Sequence, residues 1–365
     1  MKKSVFALLL AALLLFPGCG GKKDDNVEAE APATLPPDIT SNIPDDVEPT
    51  PEASEEPSAP LYTNGLTGEA IDEPSNLRPY AVMINNIKVA QPHCGVSKAD
   101  IIYEVLVEGT TRMMAIFSDI SDAGALGSMR SIRPYFIEIA RCYDAIVVHA
   151  GGSEQAYSDI ATKGIDNMDG VRGAYGSSIF YRDPSRMHAG YEHSLFTTGE
   201  KVLEYTPILG FREEHEEENY DYGLKFTEDG TPADGYAAEN VVVNFGTYGK
   251  TTTFSYDSSS GKYSAAQYGS SYIDGNTGEA LSFENVLVLY AETRVLDNAG
   301  RLSVNLVGTG NGHFICGGKA TDITWSREAE GEKFKYTLSD GSDLLLGVGK
   351  TYICIVPTGS TITIS

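Results

Sequence analysis

Beyond residue 77 the apolar positions fall in short runs whose character changes part-way along the chain. Between Arg78 and Thr206 four runs are apolar and strand-length: Tyr80 to Asn85, Ile101 to Val107, Met113 to Ser118 and Ala145 to His149. Around them, Pro134 to Tyr143 and Glu154 to Lys163 carry helical spacing, and Pro134 suits a first turn, where the backbone amide has no partner inside the helix. Strands alternating with helices predict a mixed α/β domain over residues 76–206. From Glu239 onward the runs are β-branched or aromatic, as in Val241 to Phe245, Thr251 to Tyr256, Val286 to Ala291, Leu302 to Val307 and Thr351 to Val356. Turn punctuation separates them at Asp257 to Gly261, Asp274 to Gly278 and Asp297 to Gly300. Residues 239–365 therefore read as a mainly antiparallel all-β domain, and the whole chain as α+β. Residues 207–238, with Glu213-Glu214-His215-Glu216-Glu217-Glu218 and little periodicity, read as a linker or long loop.

The first 75 residues follow other rules. Two lysines, the apolar run Val5 to Phe16 and then Pro17-Gly18-Cys19 make residues 1–19 a secretory signal, too short to span a membrane. A cysteine directly after the cut is the residue that bacteria lipidate, so Cys19 is the expected lipid anchor. The expected location is the outer face of the bacterial cytoplasmic membrane. Residues 20–75 interleave prolines with Asp, Glu, Ala, Ser and Thr, which leaves too little apolar area to offset ordering, and they read as a disordered tether. Residues 22–75 hold 14 acids against two lysines, half of the formal net charge of -24. Much of the acidity thus belongs to a spacer, and a chain this acidic is a poor match for nucleic acid.

Several blocks after the tether occur in a familiar order. Arg78-Pro-Tyr-Ala-Val-Met-Ile-Asn, Ser97-Lys-Ala-Asp-Ile-Ile-Tyr-Glu, Glu108-Gly-Thr-Thr-Arg112, Gly127-Ser-Met-Arg130-Ser-Ile-Arg133 and His149-Ala-Gly-Gly-Ser153 resemble the N-terminal domain of the YerB-type bacterial lipoproteins. Gly310-Asn-Gly-His-Phe, Gly317-Gly-Lys, Thr324-Trp325-Ser and Gly349-Lys-Thr-Tyr-Ile-Cys-Ile-Val-Pro357 are similar to their C-terminal domain. The resemblance implies a two-domain envelope lipoprotein and transfers no catalytic residue. Where that family tends to have Pro-His-Asn, this chain has Glu192-His193-Ser194.

Candidate chemistry concentrates in the first domain. Arg112, Arg130, Arg133, Arg182 and Arg186 stand with His149 and His193 in an otherwise acidic chain, and guanidinium forks bind carboxylate or phosphate bidentately. Gly151, Gly152 and Ser153 follow His149 into a helix whose first amides would face an anion. The competing reading pairs the arginines with Glu104, Glu108 and Asp144 as structural ion pairs. If the cluster is catalytic, Glu104, Glu108 and His149 are its acid and base groups. Along a strand, however, Glu104 and Glu108 would stand roughly 13 Å apart, too far for a glycosidase pair.

No nucleophile elbow and no spaced Cys/His set appears, so neither cofactor nor metal is expected. Cys94, Cys142, Cys316 and Cys354 allow one disulfide per domain. Three functions fit these features: a non-enzymatic binding protein for an anionic wall component or envelope partner, a hydrolase or transferase acting on wall polymer, and a transporter's solute-binding lipoprotein. The last would need two similar α/β lobes joined by crossing hinges.

Overall fold

Continuous apolar runs, rather than alternating ones, mark strands covered on both faces. Tyr80–Asn86, Ile101–Leu106 and Thr111–Phe117 bury every residue, and they form the middle of an 11-stranded mixed sheet. The protein is seen here as a computed structural model that describes residues 62–246 and 249–365. The leader with Cys19 and residues 20–61 of the expected tether lie outside the described residues.

Along the sheet the strands run Tyr236–Ala237, Lys319–Arg327, Gly308–Cys316, Asn285–Ala291, Thr351–Pro357, Ile101–Leu106, Thr111–Phe117, Tyr80–Asn86, Ile146–His149 and Asn167–Asp169. The first half of the sequence thus supplies a mixed α/β part and the second a β-rich part, as the pattern predicts. The two halves are joined edge to edge. Thr351–Pro357 pairs parallel with Ile101–Leu106 on one side and with Asn285–Ala291 on the other. The described residues from 62 onward belong to one compact unit, which is not the hinged two-lobe plan of a solute-binding lipoprotein.

Two helices, α1 (Pro134–Cys142) and α2 (Glu154–Lys163), flank the N-terminal strands. Helix α1 buries Tyr135, Phe136, Ile137, Ile139 and Ala140. A second, antiparallel sheet of six strands in the C-terminal half, with Thr251–Asp257 and Lys262–Gln267 at its centre, carries Phe254 and Phe283. Their rings lie 5.0 and 5.1 Å from the ring of Tyr352.

Two expectations change. Ordered structure begins before residue 76: Tyr62–Thr63 pairs with Ala70–Ile71, Leu66 is fully buried, and the Thr67 carbonyl accepts from the Gly349 amide. The 207–238 segment is tied to the body. Phe226–Thr227 pairs with Leu346–Gly347, and Arg212 and His215 both bond the Asp144 carboxylate. Its charged residues hid anchors that periodicity does not reveal. Cys94, Cys142, Cys316 and Cys354 are all free thiols, so neither of the disulfides that the sequence allows is formed.

Candidate functional site

The segment Gly127–Arg133 decides where the N-terminal polar groups meet. Tyr80–Asn86 pairs in parallel with Ile146–His149 only as far as Val82 opposite Val148. Beyond that point the segment wedges between the two strands. Its Arg130 amide donates to the Met83 carbonyl, its Arg130 carbonyl accepts from Ala150, and its Ile132 amide donates to Gly151. The wedge opens the sheet at the carboxyl ends of parallel strands, where α/β folds place ligands. It then runs directly into α1, whose N-cap is Arg133.

Three guanidinium groups converge there. Arg133 grips Glu108 with two hydrogen bonds, Nε to Oε1 at 2.7 Å and Nη2 to Oε2 at 2.9 Å. Arg112 donates Nη1 to the Ser131 carbonyl at 2.6 Å and reaches the same Glu108 only at 3.8 Å. Arg130 makes one long bond, 3.4 Å, to the Glu192 carbonyl. Burial and then the neighbouring Arg133 charge push the Arg112 pKa down to about 9. Arg130 is lowered as well, mainly by burial. Burial pushes the Glu108 carboxyl up, but the Arg133 fork outweighs it and holds the pKa below its usual value. One half-buried carboxylate therefore serves two arginines, and Arg130 beside them has only the exposed Glu192 carboxylate nearby, so three guanidinium groups meet two carboxylates and positive charge is in excess.

His193 completes this edge. It is buried, and its Nδ1 accepts from Asn85 Nδ2 at 2.8 Å, which leaves the proton on Nε2. Burial, with the nearby Arg130 charge, lowers its pKa, so at neutral pH it is an uncharged donor. Arg182 lies one step back: it donates to the Tyr191 carbonyl at 2.6 Å and stacks over the Tyr191 ring, bracing the turn that carries Glu192 and His193. Arg186 faces elsewhere, bonding the carbonyls of Gln91 and Pro92.

The remaining candidates take structural places. His149 is fully buried, its Nδ1 held 2.8 Å from the Gly151 carbonyl and its Nε2 3.1 Å from Asn167 Oδ1. The Gly151 amide, expected to face an anion, donates to Asp169 Oδ1 at 2.7 Å. Gly151 is required by its backbone, at φ 77°. A Cβ at Gly152 would stand 3.3 Å from the Ile132 side chain and 3.5 Å from the Tyr157 ring. Ser153 caps α2 by accepting from the Ala156 amide. Glu104 is no acid-base group: fully buried, it accepts hydrogen bonds from Asn86, Thr111, Thr252 and Tyr352 at 2.6 to 2.8 Å. Its partners come from both halves, so it acts as a structural node.

Comparison with known proteins fixes the family. The DUF3048 N-terminal domain model, described as a protein of unknown function, matches residues 66–212, and the DUF3048 C-terminal domain model matches residues 241–353. The chain belongs to the DUF3048 family. A curated Bacillus subtilis protein, "Putative lipoprotein YerB", is 30% identical over 319 residues, 86% of this chain and 91% of that protein. The crystal structure of YerB from Bacillus subtilis superposes with a TM-score of 0.72 at 28% identity, covering 82% of this chain and 99% of that one. The arginine wedge lies in the part matched by the N-terminal DUF3048 model. Sequence reasoning missed Asn85 and Asn86, which carry no charge and sit inside an apolar run. Their place at the end of a buried strand was the available signal.

Proposed function

We propose that this DUF3048 protein is an exported lipoprotein, held by Cys19 at the outer face of the cytoplasmic membrane, that binds an anionic group of the cell envelope without transforming it. The contact surface is Arg130, Arg133 and the Nε2 donor of His193, backed by Arg112. One observation carries the reading: a guanidinium as buried as Arg112 shares a single carboxylate with Arg133, so a phosphate or carboxylate docking at Arg130 would relieve excess positive charge where water cannot. Glu104 is committed to the core and His149 to a loop carbonyl, so neither of these two candidates supports a hydrolase reading.

The test uses the chain with Cys19→Ser, so that it stays soluble, titrated with an anionic wall polymer rich in phosphate. The expected result is binding that weakens at least tenfold in Arg130→Ala, whose side chain is half-buried and not needed by the core, and that weakens further with salt. Unchanged affinity in Arg130→Ala and Arg133→Lys alike would overturn the proposal.

A further inference from the structure

In the C-terminal half a separate concavity of about 850 Å³ opens over the strands Asn285–Ala291, Gly308–Cys316 and Lys319–Arg327. Antiparallel register places His313 opposite Asp322 and Asn311 opposite Thr324, so these four side chains share one face. Tyr290 reaches them from the neighbouring strand. His313 Nδ1 stands 2.9 Å from Asp322 Oδ1, and the Tyr236 hydroxyl donates to the same oxygen at 3.2 Å. A carboxylate only accepts, so Nδ1 carries the proton and Nε2 accepts from the Tyr290 hydroxyl at 3.2 Å. The polar surface is therefore fixed in direction before any ligand arrives.

Its floor is rigid as well. Trp325 is buried beneath Gly310, where a Cβ would stand only 2.4 Å from the indole nitrogen, and that nitrogen donates to the Tyr290 carbonyl at 3.0 Å. Trp325 is thus a support and not the exposed aromatic platform that its residue type suggests.

We infer that this pocket binds a neutral saccharide. Among the described residues no lysine or arginine lines it, while Glu292 and Asp322 do, so an anion finds no counter-charge from them there. The strand Gly308–Cys316 is paired with Lys319–Arg327 along its length and with Asn285–Ala291 from Gly312 onward, which leaves an extended peptide only the short stretch Gly308–Asn311 for backbone pairing. What remains is a set of side chains suited to hydroxyl groups: the Asp322 carboxylate, 76% exposed, accepts, the Asn311 amide both donates and accepts, and Thr324 adds a hydroxyl. Tyr290 offers a half-buried ring against the C–H face of a sugar. This site is independent of the arginine wedge and differs from it in ligand charge.

The experiment titrates the Cys19→Ser chain with a neutral N-acetylglucosamine oligomer, with polyphosphate and with oligolysine. Saccharide binding is expected to be unchanged by added salt and to weaken at least tenfold in Asp322→Ala and in Asn311→Ala. Both side chains are exposed, and an unchanged thermal midpoint would show that the variants fold. Absence of saccharide binding at millimolar concentration, indifference to both substitutions, or tighter binding of oligolysine lost in Asp322→Ala would each overturn the inference. Polyphosphate binding that survives both substitutions belongs to the wedge and supports the separation of the two sites.

Discussion

Replacing Glu104 should destabilise the whole body, because this carboxylate joins its two halves from a fully buried position. Asn86 and Thr111 from the N-terminal half bond one oxygen; Thr252 and Tyr352 from the C-terminal half bond the other. The Lys250 ammonium, itself only 6% exposed, stands 3.5 Å away, and burial holds its pKa below the usual lysine value despite the nearby carboxylate. In Glu104→Ala that ammonium loses its counter-charge, and Asn86, Thr111, Thr252, Gln267 and Tyr352 each lose an acceptor. Removing one partner of a buried pair costs about 3–5 kcal/mol. With an unfolding slope of about 3 kcal/mol per molar urea, the midpoint should fall on the order of 1 M. Adding Lys250→Met removes the stranded charge, so the double variant should recover at least about 1 kcal/mol relative to Glu104→Ala. Urea unfolding followed by circular dichroism measures both. A loss under about 1 kcal/mol for Glu104→Ala, or no recovery in the double variant, would refute the node argument.

Acid should act through His93, which is fully buried beside the Tyr272 hydroxyl and has its pKa pushed down to about 3, first by burial and then by Arg186 and Lys250. Between pH 6.5 and 3 the unfolded chain binds a proton there that the folded chain does not, so this stabilisation is present above pH 6.5 and is lost at about 1.4 kcal/mol per unit as pH falls. A His93→Leu variant should show a shallower acid slope in urea unfolding, and identical slopes would count against the assignment. Gly310→Ala should cost about 1–3 kcal/mol by forcing the Trp325 indole aside, and because Trp325 is the sole tryptophan its fluorescence should shift to the red. Ser153→Ala should cost about 1 kcal/mol of stability through the lost cap of α2, while leaving anion binding unchanged; a loss of binding would return Ser153 to the ligand site.

How far the sequence could be read depended on what each signal averages over. Apolar runs such as Ile101–Leu106 report burial on both faces, so they located the central strands, and Asp-x-x-x-Gly turns located the β-rich half. Neither signal reports which strands become neighbours. The parallel pairing of Thr351–Pro357 with Ile101–Leu106, 250 positions apart in register, joins the halves through backbone bonds to which no particular side chain is committed. The same blindness governed the sites. Arg112, Arg130 and Arg133 are close in sequence and rare in an acidic chain, so charge alone drew attention to them, and it could not tell Glu104 in the core from Glu108 at the wedge. In the second half, His313, Asn311, Asp322 and Thr324 occupy alternate positions of two paired strands, and each reads singly as an ordinary outward-facing polar residue. Only the register that sets His313 against Asp322 turns that alternation into a surface. A polar alternation on a strand is therefore ambiguous between solvated face and binding face until its cross-strand partner is known. The distinction here rests on the Tyr290–His313–Asp322 hydrogen bonds, which an ordinary solvated face has no physical reason to keep aligned.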